Sequence, residues 1–189
     1  MNARGPSDRE ARRALARTEL SRVLSTRARL LELHPFWGAM LRQMRVVMSD
    51  ALPALSSTDG VSQLFFNPRH TQHLNERQLA FTVAFNLAHI AFETPHRREE
   101  RIPALWEQAC HRVIRAALMA DDQHNAEAGF PTYEDLDIIL PGLGRIHSDL
   151  GDACDDMSIE QAYEHLFEPF RDTGLERVAA LNGDIEVTQ

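Results

Sequence analysis

Residues 79–92 hold Leu79, Phe81, Val83, Phe85, Leu87, Ala88 and Phe92, and no other stretch restricts the fold as strongly. Wound at 3.6 residues per turn, these side chains cover most sides of a helix, so the helix has almost no face to give to water. Asn75 offers an N-cap ahead of it and Pro95 a stop behind it. The spacing therefore predicts a central helix that the rest of the chain must enclose. With 189 residues, 43% of them hydrophobic and 25% charged, the chain suits one soluble globular domain with or without a short arm.

The cover is legible in outline. Ser7 with Glu10 three residues on reads as a capped start, and Ala11, Leu15, Leu20, Val23, Leu24, Leu30 and Leu31 predict one long amphipathic helix over residues 1–33. His34-Pro35 breaks it; Phe36, Met40, Leu41, Met44 and Val47 predict a second helix with an apolar stripe. From Ala51 to Phe66 the run Leu52, Pro53, Leu55, the turn Ser57-Thr58-Asp59-Gly60 and the run Val61, Leu64, Phe65, Phe66 predict two short strands joined by a loop. Ile102 to Met119 reads as a helix, residues 121–157 as a long, partly irregular loop, and Ser158 onward as a helix through Tyr163, Leu166 and Phe167 that Pro169 ends. Leu175 to Leu181 would form a marginal terminal helix. The fold class is α+β, mainly helical, with a small two- or three-stranded sheet beside the central helix. The segments are 1–33, an N-terminal helix; 34–168, the main domain; and 169–189, a tail or short helix.

The formal net charge is −8, the wrong sign for a general nucleic-acid binder, and no window approaches the roughly eighteen uncharged apolar residues of a membrane helix. The charge is uneven: +4 over residues 1–33, +2 over 34–120 and −14 over 121–189. The basic first helix has no interleaved aromatics for base stacking, so neither nucleic acid nor membrane is expected as a partner. Two cysteines, Cys110 and Cys154, make no disulfide framework, and five arginines between Arg4 and Arg17 interrupt any secretory signal, which points to a reducing cytoplasm. All twenty basic residues are Arg, a usage that base composition of the genome explains without selection.

The chemistry centres on Ala84-Phe85-Asn86-Leu87-Ala88-His89. A His-Glu-x-x-His helix binds zinc because imidazoles four apart share a face, and its Glu activates the metal-bound water. Here His89 holds the second His position, Phe85 stands at the first and Asn86 at the Glu. Phenylalanine has no lone pair for a metal, and an amide takes up no proton at useful pH. On its own, His89 reads as a hydrogen-bonded core histidine. Other motifs are weaker: Cys110 and His111 are adjacent on a helix and diverge by roughly 100°. Gly142-Leu143-Gly144 lacks a phosphate-loop context, and Asp149, Asp152, Asp155 and Asp156 miss the EF-hand spacing.

A wider pattern surrounds the motif: His34-Pro35-Phe36, Thr58-Asp59-Gly60, Phe66-Asn67-Pro68, Leu74, the Leu79–Phe92 helix, Arg97-Arg98, Trp106 with Ala109, and Met157-Ser158 with Tyr163 and Leu166. In this order and spacing, from about Arg29 to Leu166, the chain resembles the metallopeptidase domain that bacterial and phage proteins carry ahead of a von Willebrand factor A-like domain. The resemblance implies a zincin-like domain with the 51–66 strands flanking a cleft whose floor is the central helix. It implies a degenerate motif at Phe85, Asn86 and His89. His111 stands where members tend to have an Asp, and His96 is a candidate for a further family His, although Glu93-Thr94 falls where a Gly-His pair is expected.

Two functions follow from this resemblance. The leading expectation is a catalytically inactive metallopeptidase-like protein without a cofactor, acting as an adaptor, inhibitor or decoy. Its peptide-binding edge would be Val61, Leu64, Phe65 and Phe66, and its partner a MoxR-type AAA+ ATPase or a von Willebrand factor A-like protein. The alternative is an active zinc-dependent hydrolase that uses His89, His111 and His96 or Glu93 as a non-standard ligand set.

Overall fold

The computed structural model describes residues 8–119 and 157–171. Within them the order is α1 (Asp8–Leu33), α2 (Pro35–Gln43), β1 (Arg45–Met48), β2 (Ser56–Thr58), β3 (Gln63–Phe66), α3 (Pro68–Thr71), α4 (Glu76–Ala91), α5 (Thr94–Arg97), α6 (Pro103–Met119) and α7 (Ile159–Arg171). The fold is α+β and mainly helical, with one small mixed sheet. The Ser7 cap, the 121–156 loop, Cys154, the Gly142 and Asp149–Asp156 motifs and the Leu175–Leu181 helix lie outside the described residues. Among the described residues no helix is long and apolar enough to cross a membrane.

Helix α4 is the centre, as its composition demands. The side chain of Asn75 accepts from the Gln78 N–H while the Gln78 side chain accepts from the Asn75 N–H, a capping box that sets its first turn. Every residue from Gln78 to Ala88 is buried. Phe66, Phe81, Leu64, Leu79, Leu87, Ile114 and Ile159 form the innermost core. Helix α7 brings Ile159, Ala162, Tyr163 and Leu166, one stripe at helical spacing, against α6. Helix α1 packs on α2, α3, α4 and β1, and Gly38 permits the closest of these approaches. A Cβ at Gly38 would lie 2.6 Å from the Leu31 Cα, so any side chain there forces α1 and α2 apart.

Four expectations about elements are corrected. The second helix ends at Gln43 because Met44 is extended, and Val46-Val47 belong to β1, which pairs parallel with β3 from Arg45↔Gln63 to Met48↔Phe66. The strand expected around Leu52–Leu55 lies later, at Ser56–Thr58, where it pairs antiparallel with β3. Pro95 does not stop the central helix: α4 ends at Ala91, Glu93 turns the chain with φ 52, and Pro95 sits in the first turn of α5. Helix α7 runs through Pro169 to Arg171 rather than ending at it. In α1 the buried stripe is Glu19, Val23, Thr26 and Leu30, and Leu24 faces outward.

Strand order β1-β3-β2 places β3 in the middle of the sheet. The expected peptide-binding edge of Val61, Leu64, Phe65 and Phe66 is therefore wrong: both sides of β3 are already paired, and Leu64 and Phe66 are fully buried. Val61 lies ahead of the strand and is exposed. The edge next to the central helix is β2.

Candidate functional site

Helices α4 and α6, strand β2, Thr94 at the start of α5 and His70 in α3 enclose a cleft of about 1060 Å³. Helix α4 contributes Thr82, Phe85, Asn86 and His89, which follow one another at helical spacing down one face. Helix α6 contributes Trp106, Glu107, Cys110 and His111 in the same way, and β2 lies along the rim.

Three rings meet at the base. Phe85 lies 5.1 Å from His89 and 5.1 Å from His111 between ring centroids, the two histidines lie 5.4 Å apart, and every pair is edge to face. These are ordinary edge-to-face separations, so the three rings pack as one aromatic cluster, with the phenyl ring at the motif's first His position. Such packing leaves His89 neutral: desolvation first, and the neighbouring His111 second, lower its pKa to about 3. Burial also lowers the pKa of His111, against the pull of Glu107, whose Oε1 is 3.8 Å from Nε2.

The Glu position is occupied in a different way. Asn86 Nδ2 donates to Ser56 Oγ and to the Thr82 carbonyl, each at 2.8 Å. Both amide protons are spent on holding α4 to β2, and the group at the position of a general base has become a structural tie.

Thr94 forms a second node. Its Oγ1 is 2.8 Å from His89 Nδ1 and also approaches the His89 carbonyl at 3.4 Å. The Thr94 carbonyl accepts from Trp106 Nε1 at 2.8 Å, and its hydroxyl also meets Cys110. Burial pushes the Cys110 thiol up to about 12, so it is no nucleophile.

The structure brings Phe85, Asn86, His89 and His111 together and leaves His96 and Glu93 out of the cleft lining. His96 is exposed, whereas Thr94 is buried beside His89. Glu93 is left-handed, the conformation glycine adopts most readily. The Gly-His position of the resemblance therefore falls on Glu93-Thr94, and the assignment of His96 to the site is corrected. Two functional residues were missed: Ser56, for which the sequence offers no signal, and Thr94, whose signal was this Gly-His register.

Zinc in a catalytic site takes three protein ligands. Among the described residues no three His, Cys, Asp or Glu side chains group closely enough to hold a metal ion. Phe85, at the motif's first His position, and Thr94, beside His89, supply no imidazole, so the described residues do not fit that donor set.

A buried helix thus presents Phe85, Asn86 and His89 to a cleft, beside a small sheet whose edge strand lies along that cleft. The family profile described as "putative metallopeptidase domain" matches residues 18–184, and the chain belongs to that family. No curated protein and no solved structure matches it.

Proposed function

We propose that the chain is a catalytically silent member of this family that keeps the cleft as a binding surface for an extended protein segment, and so serves as an adaptor, inhibitor or decoy. The observation that carries this reading is the pinned amide of Asn86: a group that cannot accept a proton, with both N–H bonds committed to Ser56 and Thr82, stands where hydrolysis needs a base. The phenyl ring packed against His89 and His111 supports it, because that ring stands at the motif's first His position and offers no lone pair to a metal. A strand along the rim of the cleft suits an extended segment. A MoxR-type ATPase and a von Willebrand factor A-like protein are the partners we carry forward from the resemblance. The hydrolase alternative keeps His89 and His111 in the cleft but loses Glu93 and His96, neither of which lines it.

The test is hydrolysis of an unfolded protein such as casein in the presence of zinc. The native chain should show no cleavage above buffer. Chelator-sensitive cleavage by the native chain, lost in His89→Ala, would overturn the silent reading.

A further inference from the structure

Strand β2 has β3 on one side and no strand on the other among the described residues. Two flanking backbone bonds, Asn67 N to Leu55 O at 3.0 Å and Asp59 N to Gln63 O at 3.2 Å, fix which residues face β3. Hydrogen-bonded and non-hydrogen-bonded positions alternate in an antiparallel pair. Leu55, Ser57 and Asp59 thus point their main-chain groups at β3, and Ser56 and Thr58 turn theirs outward. Both outward residues line the cleft. Their two N–H and two C=O groups, two residues apart, are a template for one more strand. The bond from Asn86 to Ser56 Oγ holds that template in place.

Two formal charges also line the cleft, Arg98 and Glu107. Glu107 faces His111 at 3.8 Å. Arg97 next door is tied to Glu160 at 2.7 Å, and Arg101 lies over Trp106 and Tyr163 at 5.1 and 5.7 Å. The Arg98 guanidinium, exposed on the same turn, has no acidic partner among the described residues. A guanidinium on the lining of the same cleft as this strand template favours a carboxylate, which it can meet with two parallel hydrogen bonds.

We propose, building on the binding reading above, that the cleft takes an extended protein segment that pairs with the outward groups of Ser56 and Thr58 and carries an Asp or Glu side chain for Arg98. Arg98 sets the sign of the preferred residue, and β2 sets the extended backbone. The partner is recognised by an acidic residue within a strand-forming stretch.

The test is fluorescence anisotropy with the full chain and labelled, end-capped octapeptides of alternating Thr and Val that carry Glu, Gln or Lys at one central position. A fourth probe is the Glu peptide N-methylated at alternate residues. The Glu peptide should bind roughly tenfold tighter than the Lys peptide, which corresponds to about 1.4 kcal/mol. Arg98→Glu, an exposed change that circular dichroism can verify as folded, should reverse that order, and N-methylation should abolish binding. Equal binding of the Glu and Lys peptides, or no effect of Arg98→Glu, would overturn the acid preference and leave the binding reading standing. Failure of all four peptides to bind would overturn both. Undiminished binding of the N-methylated probe would overturn pairing with β2.

Discussion

His89 and His111 are neutral in the fold because burial removes the water that would solvate an imidazolium. In the unfolded chain both titrate near 6.5, so below that pH the unfolded state binds protons that the folded state refuses. Their contribution is complete above pH 6.5 and is lost as pH falls toward 3, where His89 itself charges. The slope is at most about 1.4 kcal/mol per pH unit for each ring. Urea midpoints should fall between pH 7.5 and 5.5, and fall less in His89→Asn; equal falls would contradict the burial argument. Glu93 carries strain of a different kind, a left-handed backbone that costs an L-residue about 1–2 kcal/mol. Glu93→Gly should raise stability by about 0.5–1 kcal/mol once glycine's entropy is counted, visible as a higher melting temperature; a lower one would contradict the conformation. At this scale Phe85, Asn86 and His89 were legible because motif spacing is local. Ser56 was not, because its role arises from a bond to Asn86, 30 residues away along the chain, whereas Thr94 had its signal in the Gly-His register.

Among elements, α1 is joined to the core by one guanidinium as much as by its apolar stripe. Arg22 contacts Glu19 at 3.0 Å and Glu76 at 2.9 Å, and donates to the carbonyls of Leu74 at 2.7 Å and Thr71 at 3.3 Å. Glu19 is only 3% exposed, so Arg22→Ala would strand a buried carboxylate. Such a loss costs about 3–5 kcal/mol, and the partial exposure of Arg22 puts it at the lower end. Chemical denaturation should show it, with amide exchange in α1 speeding up first; an unchanged midpoint would mean that α1 is held by packing alone. Helix α4 was legible because its cap and its apolar content are both local. Strand β1 was not. Val46 and Val47 extend the stripe of Met40 and Met44, and only pairing with β3, some eighteen residues on, decides for a strand. The same non-local pairing put β3 in the middle of the sheet and moved the free edge to β2.

The molecule as a whole places one buried helix between a small mixed sheet and α6, with α1 and α7 completing the cover. That architecture followed from composition, because a helix apolar on most sides has to be enclosed. On the proposed reading the cleft is kept while its chemistry is replaced: Phe85 stands at the first His position, the tied amide of Asn86 at the Glu position, and the Thr94 hydroxyl beside His89. The most direct test is zinc per chain, measured without chelator or His tag, for the native protein and for Phe85→His/Asn86→Glu. This variant places a third imidazole against His89 and His111 and a carboxylate at the motif's Glu position. The account predicts near-zero zinc in the native chain and close to one in the folded variant, lost again on adding His89→Ala. Near-stoichiometric zinc in the native chain, removed by His89→Ala, would contradict it.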